Sequence, residues 1–199
     1  AAPAAAALLA DMGADVIKVE PLNGDPWRNH RYRMDSDDQQ FEINYGFELD
    51  NRGKRSVTLD LSKEASYGIV TRLVSDVDVF ITNLVPARIT RYKLGYKDLS
   101  TFNTGLIYIS LSAYGNEGPE KNKLGYDFSA FWARSGIMSL IREETTLPLP
   151  QRGGMGDHTA ALTLTTGVLA ALFEKGRTGR GQELSSSLLN TGLWTLGFD

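Results

Sequence analysis

The chain has 199 residues, 42% of them hydrophobic and 23% charged, so it can bury a sizeable core and is not a disordered tail. A net charge of −3 gives no bulk attraction to nucleic acid or an anionic membrane, so any basic site must be local. With no cysteine there is no disulfide, cysteine-ligated metal or thiol nucleophile. No apolar stretch is long enough to span a bilayer, and the alanine-rich start lacks the basic n-region of a signal peptide. These readings predict a cytoplasmic protein without nucleic-acid or membrane partners.

In chain order, residues 3–12 read as a short helix with proline in its first turn and Gly13 as its stop. Residues 15–20 (DVIKVE) alternate like a strand closed by Pro21, and residues 22–50 read as a polar loop with one irregular element. SVTLDL (56–61) is a second strand, and residues 63–74 form a helix with Ser62 as N-cap. VDVFITN (77–83) is a buried strand. A helix over 86–95 ends at Gly95, and 98–103 is a helical turn. LIYISLS (106–112) is the next strand, followed by helices over 127–140 and 158–174, a strand over 182–187 and a helix from 188 to 196. Strands and helices alternating at this spacing predict an α/β fold, a parallel sheet with helices on both faces. Opening on a helix and stopping just after another are expected of a fragment of a longer polypeptide.

Ligands of open parallel sheets bind beyond the carboxyl ends of the strands, which here lead into residues 21–28, 83–86 and 112–119. NRGKR (51–55) enters its strand from the opposite end. Arg52, Lys54 and Arg55 could form an anion site for a phosphorylated cofactor, or a solvated basic turn. Neither GxGxxG nor GxxxxGK[ST] is present, and GxSxG is absent too. His30 and His158 do not have metal-ligand spacing, so no metal cofactor is expected. GGMGDH (153–158) is the sharper feature. Asp157 starts the long helix, either as a plain N-cap or as a reactive carboxylate among glycines that let a carbonyl come close.

Five segments taken together resemble the class III CoA-transferases, the family of formyl-CoA transferase and crotonobetainyl-CoA:carnitine CoA-transferase. They are LLADMGADVIKVEP (8–21), NRGKRSVTLDL (51–61), DVFITNLVPARITRYKLGY (78–96), LIYISLSAYGNEGP (106–119) and GDHTAALTLTTGVLAALFEKGRTGRGQ (156–182). The resemblance implies a Rossmann-like large CoA-binding domain over 1–199, with the first strand and a small domain lying outside the chain. It also implies an interlocked homodimer that binds acyl-CoA and carboxylic acids, with coenzyme A entering as the acyl-CoA substrate.

The family's catalytic aspartate falls on Asp157, whose carboxylate would carry the acyl group as a mixed anhydride and then CoA as a thioester. Gly154, Gly156 and Tyr126 would lie near the substrate. Asn83 and Leu84 match an Asn-Phe pair near the adenine and pantetheine, with leucine in place of phenylalanine. Arg91 matches a cation near the phosphates, and Lys54 and Arg28 could partner the 3′-phosphate or diphosphate; each of these could also be a surface charge. The related 2-methylacyl-CoA racemases commonly place a histidine where this chain has Tyr126, a poor proton carrier at neutral pH. The transferase is therefore favoured over the racemase and over a non-catalytic CoA-binding homologue. GYDFSAFWARSGIM (125–138) resembles members that handle 2-hydroxy acids and aryl or branched acyl groups.

Overall fold

The computed structural model describes residues 1–29, 44–149 and 151–197. His30 lies outside the described residues. The chain opens with α1 (Ala2–Asp11) and β1 (Val16–Glu20), then a 3₁₀ turn at Pro26–Asn29, α2 (Tyr45–Asn51) and β2 (Lys54–Thr58). Next come α3 (Glu64–Asp76), β3 (Val79–Thr82), α4 (Pro86–Tyr92), α5 (Tyr96–Leu99) and β4 (Ile107–Ser112). A π-helical segment (Phe128–Arg134), α6 (Ile137–Leu140), α7 (Met155–Thr178), β5 (Gln182–Ser187) and α8 (Leu188–Thr195) complete it. No helix among the described residues is long and apolar enough to cross a membrane.

All strand pairs are parallel, and helices cover both faces of β4. Instead of one sheet, however, the described strands form a β1–β2 pair and a separate β3–β4–β5 sheet. Helix α1 touches both, contacting β1 and β3. Strand β4 is buried along its whole length, as the centre of a parallel sheet must be. Its alternate side chains feed two cores. Ile109 and Leu111 pack with α1, α7, α8 and the π-helical segment, while Tyr108, with Leu106 just before the strand, packs with Val70 and Val74 of α3 and Leu99 of α5.

Several boundaries differ from the sequence expectation. β2 begins at Lys54 rather than Ser56 and ends at Thr58, because its partner β1 ends at Glu20 and Pro21 has no amide to continue the ladder. Ser62 does not cap α3; its amide and hydroxyl bond Asp60 instead, and Lys63 takes the cap position without a side-chain bond. The helix after β3 stops at Tyr92 rather than at Gly95, because Lys93 turns into the left-handed conformation and ends it. The single helix over 127–140 is broken, with Gly136 at φ 96° between the π-helical segment and α6. The 22–50 stretch holds the 3₁₀ turn and α2, and residues 182–187 form β5 as expected.

Candidate active site

Helix α7 returns into β5 through the short turn at residues 179–181, so it runs against the strands and its first turn lies at their carboxyl edge. Helix α1, feeding β1, starts at the same edge. Small residues let the two helices pack closely: Ala4 and Ala5 of α1 and Ala160 and Ala161 of α7 are all buried in one core. The nitrogen of Ala1 consequently stands 3.4 Å from Oδ1 of Asp157.

Asp157 is the third residue of α7 and not its N-cap; that position belongs to Gly154, at φ 92°. Glycine carries no capping side chain, and the cap comes from far away in sequence. Asp127 Oδ2 accepts the Gly154 amide at 2.7 Å and the Gly156 amide at 3.2 Å, while its Oδ1 accepts the Phe128 amide at 2.7 Å. Those two amides are therefore engaged and do not form an oxyanion site. Gly156 has a separate constraint, since a Cβ there would lie 2.6 Å from the Phe131 ring. The three-glycine segment thus reflects one left-handed turn and one close aromatic contact.

The Asp157 side chain is 28% exposed, open enough to be reached yet desolvated. Burial pushes its carboxyl above the usual carboxylate range, and the nearby charges of Asp127 and Asp50 add to that. Next to it, His158 Nε2 lies 2.9 Å from Asp50 Oδ1 and ties α2 to the start of α7. An open cleft lies on the same edge at the ends of β4 and β5, bordered by Tyr114, Asn116, Ser186, Asn190 and Leu193.

The other candidates are dispersed. The side chain of Lys54 runs back along α1, and its ammonium donates to Pro3 O at 2.7 Å, Asp50 O at 2.6 Å and Asn51 Oδ1 at 3.2 Å. It clamps α1 to α2, and burial lowers its pKa to about 8. Arg52 pairs with Asp11 and Arg55 with Asp15, so the three cations of NRGKR point to separate partners and make no common anion site. Arg28 forms a two-pronged bond to buried Glu20 at the end of β1, its Nε at 2.7 Å, and its guanidinium lies 4.3 Å over the Phe47 ring. Asn83 is exposed just beyond β3; Leu84 is partly buried against the second core. Arg91 is exposed in the last turn of α4, nearest the ring of Tyr92. Tyr126 is 82% exposed. The structure brings Gly154, Gly156 and Asp157 together with Asp127. Sequence reasoning missed Asp127 because its partners lie 27 and 29 residues away. Its only local signal is an acidic residue directly before a helical segment.

The sequence model of CoA-transferase family III matches residues 1–199. The chain is 35% identical over 199 residues to an (R)-2-hydroxy-4-methylpentanoate CoA-transferase from Clostridioides difficile, covering 99% of the chain and 49% of that protein. It is 33% identical to a cinnamoyl-CoA:phenyllactate CoA-transferase from Clostridium sporogenes, covering 99% and 48% respectively. Among solved structures, a CAIB/BAIF family protein from Brucella suis superimposes with a TM-score of 0.86 at 34% identity, over 98% of this chain and 51% of that one. The chain spans about half the length of the curated relatives it matches. A family match over every residue, joined to the same fold in a solved relative, places this chain in CoA-transferase family III.

Proposed function

We propose that the protein is a CoA-transferase that moves CoA between carboxylic acids, with Asp157 as its covalent carrier. The observation that carries this reading is the Asp157 carboxylate itself, partly exposed and desolvated in the first turn of α7 at the carboxyl edge of the sheet. Its oxygen attacks the donor thioester carbon; the C–S bond breaks and CoA leaves as the thiolate, giving a mixed anhydride. The thiolate attacks the aspartyl carbonyl, releasing the donor acid and leaving an aspartyl-CoA thioester. The acceptor carboxylate reverses the sequence through a second anhydride, and Asp157 is restored when CoA leaves on the acceptor. One difficult exchange becomes several easier ones.

The relatives named for a 2-hydroxy acid and for phenyllactate support a branched or aryl 2-hydroxy acid as substrate. In this reading CoA is held by Asn83, Leu84, Arg91 and the partly exposed guanidinium of Arg28, while Lys54, whose ammonium is engaged by Pro3, Asp50 and Asn51, holds α1 against α2 instead. We further propose a cytoplasmic, interlocked homodimer. Large apolar side chains on the outer face of α7 and on α8, Phe173 at 71% exposure among them, supply surface for such an interface. The racemase alternative has no histidine at position 126 to act as its second base.

The test uses the full-length protein with cinnamoyl-CoA, succinyl-CoA and 4-methylpentanoyl-CoA, trapping with hydroxylamine or borohydride and reading peptide masses. A label confined to the peptide bearing Asp157, and lost in Asp157→Ala, is expected. Exchange of a substrate α-proton into deuterated water with no label would establish the racemase instead.

A further inference from the structure

We propose that Asp127 is the positioning residue for Asp157: its carboxylate stands in for the N-cap side chain that Gly154 cannot supply and fixes the turn that aims the reacting carboxylate. This inference rests on the covalent role of Asp157. Asp127 is only 4% exposed, and among the described residues its recorded partners are backbone amides rather than a cation. A buried carboxylate without a counter-cation is costly unless amide dipoles hold it, and helix-start amides do that well. Three amides on two oxygens also account for the residue type. Asparagine has one acceptor oxygen, so it would keep the Gly154 and Gly156 bonds while turning its NH₂ toward the Phe128 amide.

The grip on the turn is two-sided. Asp127 opens the π-helical segment that also carries Phe131, and the Phe131 ring fills the space where Gly156 lacks a Cβ. Amide bonds from one end and an aromatic wall from the other set the backbone on which Asp157 stands. The charge of Asp127 has a second consequence. Asp157 is faced by the first turn of α1, by Asp50 of α2 with His158 bonded to it, and by Asp127. Of these, Asp127 and Asp50 hold the Asp157 carboxyl up. Removing the Asp127 charge lowers the pH at which Asp157 ionises.

Asp127→Asn, Asp127→Ala and Asp157→Ala are compared in the full-length protein, using the acyl-CoA of the panel above that labels wild type fastest. Labelling rate, its half-saturating acyl-CoA concentration and its pH profile are measured. Asp127→Ala is expected to slow labelling about 100-fold with half-saturation within about twofold, as for a misplaced reacting group. Asp127→Asn is expected to lose about tenfold, with its acid limb at lower pH than wild type. If Asp127→Ala does not fold, the isosteric Asn variant decides alone. Wild-type labelling with an unmoved acid limb in Asp127→Asn overturns the positioning role while the covalent role stands. Labelling that persists in Asp157→Ala sinks the covalent reading, and this inference with it.

Discussion

Asp157 and Asp127 are two acidic residues 30 positions apart, each at the start of a helical segment, and their environments separate their roles. Asp127 is enclosed and bonded to amides on both oxygens; Asp157 keeps a partly exposed side chain and a raised pKa. A nucleophile must be reachable, and a cap must not move. The glycine between them is held by contact rather than by conformation. Gly156→Ala would push a methyl into the Phe131 ring, which is itself packed edge-on against Trp132 with ring centroids 5.1 Å apart. Overpacking of this kind costs about 1–3 kcal/mol. Thermal unfolding should show that loss, and a Phe131→Leu background should recover part of it. Equal penalties in both backgrounds would mean that the ring is not the obstacle.

At the scale of elements, long polar side chains hold neighbouring segments in place. Lys54 bridges α1 and α2, His158 joins α2 to α7, and Asn103 ties the end of α3 to the entry of β4. The Asn103 amide donates to Val74 O at 3.0 Å and Val77 O at 2.8 Å, and its oxygen accepts the Gly105 amide at 3.0 Å. Replacing it with alanine leaves these backbone groups without their partner, so Asn103→Ala is expected to destabilise by about 1–3 kcal/mol. Denaturation midpoints would measure it, and a loss near zero would show that water replaces the amide freely. The strands were readable because β-branched and apolar runs in VDVFITN and LIYISLS have few alternatives. Helix ends were less readable. Ser62 looks like a cap but is taken by Asp60, and the α7 cap comes from a residue that no local pattern links to it.

At the scale of the whole molecule, acid sensitivity among the described residues should centre on Glu20, a buried carboxylate whose pKa is held well down. Glu20 ends β1, and the Arg28 guanidinium, the Ser56 hydroxyl and the Asp25 amide hold its pKa at about 2 against an ordinary 4.5. A lowered carboxylate pKa stabilises the fold above the unfolded value, and that contribution is lost as pH falls from 4.5 toward 2. Its size is on the order of 3 kcal/mol, since the Glu20 side chain is almost fully enclosed. Glu20→Gln should therefore melt well below wild type at pH 7, and the gap should shrink over that acid range. A gap independent of pH would contradict it.

The sequence by itself determined the alternation of strands and helices, the parallel direction of the strands and the resemblance centred on GDHT, because these are set by local periodicity and by the residues in one stretch of chain. Only the tertiary structure decided what those residues do to each other. It split the described strands into two sheets, sent Arg52, Lys54 and Arg55 to different partners, and set Asp127 against the start of the helix that carries Asp157. The physical reason is range. A hydrogen bond acts over about 3 Å in space whatever the separation along the chain, and only folding says which residues come that close.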